Sequence, residues 1–467
     1  VRSALSMVLI ALGACGPTVE EGPRTCGGWG PVRIFEDVAV GYPAYAGDRI
    51  LAYTGQSIPL DPTRTDAIGV GPCGEDPVLL GTLNLEEPWN LSVAGEHVVR
   101  VDESGDLSWV DPFGSAPVHS LVSGANSCVL SLAGGMVVRS IDGRLLFRPD
   151  PASSEESTRV LLDQVAEPEF PSVPFFDLAD CSAIDTVGPV VDGDGVLAVE
   201  AGGALVRVAL PSGERQLVLE GPVGEFVVLD DPRYLLWRTG ETGDCCDIHL
   251  LDRSSGTSER VWGGSIIGGV DWAGDWLSMN FLRNGDLEQR ELFHNYVTGE
   301  RVEVEGWWKL QAVVSPSDLL VSAFGDTDVR ILDVVREEMI PIEFNPLAFP
   351  ERVYDDGVVS FRPDGHGGDR GDLLRLRFGS REPELLVSEA PSAWLRTRQG
   401  NTLFIDRDEE SDVGPLVLVE ANGARRELAV GVSAVAIPHR GTARERNEAI
   451  YFVAQGVDRG MWRVALP

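Results

Sequence analysis

Lysine occurs once in the 467 residues, at Lys309, and every other basic side chain is arginine, so lysine-based covalent chemistry has almost nothing to work with. Basic residues are scarce as a class: 38 Lys plus Arg stand against 73 Asp plus Glu, a formal charge of −35. That balance repels nucleic acid and anionic lipid surfaces and argues against both as partners. The six histidines, His97, His119, His249, His294, His366 and His439, are scattered, with no HExxH and no pair at metal-ligand spacing. A GxSxG elbow, a P-loop and the dinucleotide-binding glycine pattern are also missing. Beyond the first dozen residues no run approaches the roughly 20 apolar residues that a bilayer-spanning helix needs. Amphipathic helix patterns are missing as well, which leaves strands as the building material.

The one short apolar stretch, Ala4 to Leu12, follows a single positive charge at Arg2 and ends in Leu12-Gly13-Ala14-Cys15. This pattern resembles the lipobox of bacterial lipoproteins. The resemblance implies a signal peptide over residues 1–14, cut just before Cys15, with a lipid on the Cys15 thiol. Gly16 follows the cysteine where an aspartate retains such proteins at the inner membrane, so the resemblance implies the outer membrane. Residues 15–30, with Gly, Pro, Thr and Glu, read as a flexible tether to a folded body over residues 31–467.

Without Cys15, six cysteines remain: Cys26, Cys73, Cys128, Cys181, Cys245 and Cys246. An even number in a chain bound for an oxidising compartment points to disulfides. Chain order favours Cys26 with Cys73, Cys128 with Cys181, and the neighbours Cys245 and Cys246. A metal role is the weaker reading, because no CxxC or spaced Cys/His set is present.

The body is periodic. Residues 225–263 and 266–305 each hold four short β-rich runs separated by turn residues. The turn between the third and fourth runs recurs at Gly213, Gly256, Gly299, near Glu337, at Gly379 and at Gly423, in steps of 43, 43, 38, 42 and 44 residues. Similar turns stand near Ser153, Gly114 and Gly74, which makes nine complete units, with an insertion at Glu167 to Cys181 where three prolines interrupt the pattern. A tenth unit has three strands, Ser433 to Ala436, Ala449 to Val453 and Met461 to Val464, while Val32 to Phe35 is left over at the start. The spare strand completes the last sheet. The expectation is an all-β chain, a β-propeller of about ten four-stranded units closed by its N-terminal strand. Ten exceeds the usual four to eight blades, so eight blades with decorations, or two rings, are the alternatives.

Residues 314–333, with Val314-Ser315-Pro316-Ser317-Asp318 and Gly325-Asp326-Thr327-Asp328, resemble the TolB-type or PD40 propeller repeat, and residues 403–408 echo its aspartate-containing turn. The resemblance implies an envelope propeller of a kind that often binds proteins. It carries no site across.

Loops between second and third strands are acidic and Gly-rich, and hard cations favour such oxygen donors. Asp364, Asp369 and Asp372, or Asp408, Glu410 and Asp412, are calcium candidates, although Asp and Gly are also ordinary turn formers. Trp307 and Trp308 are candidates for binding, since neighbours on an extended chain point to opposite faces. No catalytic residue is identified. The reading is a lipid-anchored envelope module that binds a protein or glycan without catalysis. The alternative is a glycan-directed hydrolase or lyase with carboxylates in the central channel. Replacing the lipid-bearing thiol tests the anchor: Cys15→Ser is expected to abolish incorporation of labelled palmitate and move the protein out of the membrane fraction.

Overall fold

The computed structural model describes most of residues 31–466, leaving outside the description residues 1–30 and 167–188, shorter stretches such as 55–63, 240–245, 344–351 and 437–447, and the side chains of some strands. Among the described residues every regular element is a strand. Eight sheets have four antiparallel strands in sequence order. They form unit 1 (39–84), unit 2 (89–122), unit 3 (125–162), unit 4 (190–219), unit 5 (223–264), unit 6 (266–305), unit 7 (308–341) and unit 8 (352–391).

The remaining sheet has seven strands and contains two more units. Its strand Arg425–Ala436 is twelve residues long. The first part pairs with Gly414–Val419 and ends unit 9, while the last part pairs with Glu448–Val453 and begins unit 10. The fourth strand of unit 10 is Val32–Phe35, antiparallel to Gly460–Ala465 with Val32 opposite Arg463 and Arg33 opposite Trp462. The spare N-terminal strand therefore sits where the repeat requires one. The insertion expected at Glu167 to Cys181 lies outside the described residues.

Burial explains the strand chemistry. In unit 3 the second strand, Gly135–Ser140, is buried along its whole length, and so is Gly195–Val199 in unit 4. Both are covered by neighbouring sheets on both faces, which removes the need for polar alternation. The outermost strand of unit 6, Arg301–Glu305, buries Val302 and Val304 and exposes Arg301, Glu303 and Glu305, because one of its faces meets water.

The apolar clusters join consecutive units: 2 with 3, 3 with 4, 4 with 5, 5 with 6, 6 with 7, 7 with 8, 8 with 9 and 9 with 10. Between units 1 and 2 the Arg49 guanidinium lies 4.8 Å over the Phe113 ring. Unit 10 then meets unit 1, where Ile34, Ile450, Phe452 and Met461 pack against Ile50, Ala52, Ile68 and Val70. Small sheets stacked in this cyclic order are a β-propeller.

Ion pairs fasten some seams. Arg253, in the turn between the third and fourth strands of unit 5, reaches Asp192 of unit 4 with Nη1 to Oδ1 at 2.8 Å and Nη2 to Oδ2 at 2.6 Å. Arg207 Nε also donates to Asp192, at 2.7 Å. Burial alone would raise the Asp192 carboxyl, but the two guanidiniums outweigh it and hold the group below its ordinary value of 3.8. Unit 8 repeats the device with Arg381, which donates to Asp333 at 2.7 Å and to Asp318 of unit 7.

Ile34, only 3% exposed, is expected to lose at least about 3 kcal/mol on Ile34→Asp, through lost apolar burial and a charge without a partner. Val297→Asp, at a half-exposed turn, is expected to leave the thermal midpoint unchanged. At neutral pH, Arg253→Met is expected to cost about 1–3 kcal/mol, the range for hydrogen bonds to a charged group. Because the folded Asp192 value is depressed, that contribution is fully present above 3.8 and is lost as pH falls through the lower folded value. Melting curves of wild type and variant are therefore expected to converge in acid.

Candidate functional site

Units 6 and 7 meet over a mixed surface. Trp276, Phe293, Val302 and Val304 of unit 6 pack on Trp308, Leu310, Leu319 and Val321 of unit 7. The same face of unit 6 carries polar residues. Asp271 lies opposite Ser278 across the first two strands, and Asn280 lies opposite Glu291 across the next two. Directly opposed residues of antiparallel strands share a face, and Ser278 and Asn280 share one by their two-residue spacing. Register thus places all four on the side that faces unit 7.

These side chains are deeply enclosed, with Ser278 at 1% and Asn280 and Glu291 at 2% exposure. The Asn280 Nδ2 group donates to Glu291 Oε2 at 3.1 Å and to the Arg290 carbonyl at 3.3 Å. The Trp308 backbone N–H, from unit 7, also donates to Glu291 Oε2, at 3.4 Å. Asn280 Oδ1 is buried without a hydrogen-bond partner, and Ser278 Oγ, which faces the Glu291 carboxyl, receives no donor. At the mouth, Lys309 Nζ stands 4.0 Å from Asp271 Oδ1, and both side chains are nearly half exposed.

Burial pushes the Glu291 carboxyl up to about 8, against the Asn280 and Trp308 donors and the nearby Ser278 hydroxyl, and the Asp271 charge adds to the rise. Burial also raises the Asp271 carboxyl, with the Lys309 ammonium acting the other way. A protonated and an ionised carboxyl side by side form an acid–base pair in principle. Here the acid is closed off. At 2% exposure Glu291 is out of reach of a polymer substrate.

The residues singled out in the sequence fall elsewhere. Cys73 is disulfide-bonded. Cys15, Cys26, Cys181 and Cys245 lie outside the described residues, as do the side chains of Cys128 and Cys246, so the three pairings remain expectations. Asp364 is exposed, and Asp372 accepts from Arg362 Nη2 at 2.7 Å. Asp369, Asp408, Glu410 and Asp412 lie outside the described residues. Among the described residues no three His, Cys, Asp or Glu side chains gather as a metal cage. Trp308 is buried in the wedge, its Nε1 donating to the Glu305 carbonyl at 2.8 Å and its ring beneath Arg330 at 5.0 Å. Trp307 is half-buried.

Other indoles of this region also serve packing: Trp276 is fully buried, Trp237 stacks on His249 and Trp262 leans on Phe281. Trp272 is the exception at 38% exposure. The wedge itself escaped sequence reading. Its signal is faint: Ser278 and Asn280 at one parity of the otherwise apolar strand WLSMNFL.

No family model matches the sequence, and no curated protein matches it. Solved structures that resemble it include BamB from Moraxella catarrhalis, at 15% identity over 72% of this chain and 96% of that one, with a TM-score of 0.36. An oligogalacturonate lyase from Vibrio parahaemolyticus is similar at 10% identity over 59% of this chain and 87% of that one, TM-score 0.32. The β-propeller domain of the Trilobed protease from Pyrococcus furiosus is similar at 12% identity over 61% and 95%, TM-score 0.32.

Proposed function

We propose that this chain is a lipid-anchored envelope propeller that binds a protein or glycan without transforming it. In this reading the ten units form one ring, Cys15 carries the lipid, and residues 15–30 stand the ring off the outer membrane. The observation that carries the binding reading is the enclosure of Glu291. Among the described residues, the carboxyl raised furthest toward an acid–base role is only 2% exposed, between two sheets and away from any face a substrate polymer could approach.

What remains for recognition is the rims. Antiparallel order puts the connections after the second and fourth strands of each unit on one rim and the other turns on the opposite rim. Asp364 and Asp406 stand on the first rim, and the sequence that follows each of them is acidic or Gly-rich. With a chain charge of −35, complementary charge favours a partner with a basic surface, and steers its approach.

Site-specific photo-crosslinking of the full chain in its native membrane tests this reading. A crosslinker at Asp364 or Ile141, on the acidic rim, is expected to trap a discrete adduct, whereas one at Ser255, on the opposite rim, is not. Turnover of a glycan by the purified full chain, lost on changing a carboxylate of the channel, would establish the enzyme alternative instead.

A further inference from the structure

The wedge between units 6 and 7 holds two acceptors that nothing in the protein satisfies. The Asn280 amide has no freedom to correct this. Its Nδ2 is held by the Arg290 carbonyl and Glu291 Oε2, and turning the group over would give up both bonds and leave the Nδ2 hydrogens facing the same gap. Oδ1 is therefore fixed as an acceptor, at a residue 2% exposed. The Ser278 hydroxyl, at a residue 1% exposed, faces the Glu291 carboxyl, and its oxygen receives no donor. An unsatisfied buried acceptor costs about 1–3 kcal/mol.

The remaining donors of electron pairs are the Glu291 and Asp271 carboxylates on the same face of the same sheet. Four side chains from three neighbouring strands thus bring oxygen atoms to one face, with the Asn280 Nδ2 turned to Glu291. Asp271 and Lys309 are nearly half exposed, whereas Ser278, Asn280 and Glu291 are buried, so solvent meets the cluster on the Asp271 side. A set of oxygens with two carboxylates suits a hard cation and not a soft one.

We propose that the wedge between units 6 and 7 is a binding site for a hard divalent cation of the calcium type, ligated by Glu291, Asn280 Oδ1 and Ser278 Oγ with Asp271 at its mouth. Lys309 is the competitor. Its ammonium holds Asp271 when the metal is absent and withdraws to solvent when the metal binds. The bound cation ties unit 6 to unit 7, because Glu291 also accepts from the Trp308 backbone. The site is separate from the acidic rim and does not depend on the binding role proposed above.

The test uses the full detergent-solubilised chain, stripped with a chelator and titrated with calcium by calorimetry and with terbium by luminescence. Trp276 and Trp308 line the same wedge and serve as the sensitising indoles. One saturable site is expected, with a rise in melting temperature on calcium addition. Glu291→Gln and Asn280→Leu are each expected to weaken binding at least tenfold, and Asp372→Asn on the rim to leave it unchanged. Lys309→Met, at a half-exposed position that folding tolerates, is expected to tighten binding severalfold by removing the competing ammonium. Absence of sensitised terbium emission, or a Lys309→Met affinity equal to or weaker than wild type, overturns the proposal.

Discussion

The pairing of Val32–Phe35 with Gly460–Ala465 is the constraint on which the rest of the fold depends. It joins residues as far apart as Arg33 and Arg459, separated by 426 positions and bonded side chain to carbonyl. Closing a loop of that length costs on the order of 5 kcal/mol. Against this, each large apolar side chain buried at the seam contributes roughly 1.5–3 kcal/mol, and Ile34, Phe452, Met461 and Ile450 are all at most 3% exposed. Burial wins by a clear margin. Because the strand belongs to unit 10 and packs on unit 1, one short segment both finishes the last sheet and joins it to the first.

The opposite solution appears one step earlier in the chain. Units 9 and 10 are joined without any connecting loop, by the strand Arg425–Ala436 running through both. Its register shifts between Gly414 and Val417 on one side and between Val432 and Ala434 on the other. Such bulges increase local twist and re-aim a strand, which lets one run leave the outer edge of unit 9 and open unit 10. A turn of ordinary length would have separated the two sheets, as it does elsewhere. The seam of units 9 and 10 is correspondingly well filled, with Leu403, Leu416, Leu418, Ala449, Tyr451 and Val464 in one cluster.

Turn geometry made the repeat legible. Gly74, Gly114, Gly213, Gly256, Gly299, Gly379 and Gly423 all adopt positive φ in the turn between third and fourth strands, a conformation that favours glycine and marks the sequence at regular intervals. Glu337 holds the same place at φ 56° without being glycine, and the sequence pattern located it through its neighbours. The shared strand was legible only as two runs, since its continuity is a matter of register. The polar wedge was not legible at all. Asp271, Ser278, Asn280 and Glu291 lie on three strands, and they meet only because the pairing sets Asp271 against Ser278 and Asn280 against Glu291. A one-residue slip in either ladder would send half of them to the opposite face. The loops, where Asp364 and Asp372 drew the eye, show acidic composition plainly in sequence, yet Asp372 is engaged by Arg362.

The composition of the seams gives the wedge its meaning. Where units 7 and 8 meet, the cluster is Ala312, Val314, Leu320, Ile331, Val358, Leu374 and Leu376; Gln311 Oε1 and Ser360 Oγ are buried there without a partner, but the buried carboxylates, Asp318 and Asp333, are both held by Arg381. Units 6 and 7 have comparable apolar mass in Trp276, Phe293, Trp308 and Leu310, but keep Ser278, Asn280 and Glu291 within it. Apolar replacements of buried polar groups are often neutral or stabilising, so stability of the isolated seam does not account for their presence. The proposed cation does: it satisfies the orphaned Asn280 oxygen, supplies the charge that the buried Glu291 carboxylate lacks, and acts on the strand carrying Trp308. The same groups that weaken the seam alone then strengthen it when loaded. In a ring, where each sheet is held by its two neighbours, loosening one seam reaches the others through the closing strand, and an ion at units 6 and 7 thereby bears on the order of the whole rim.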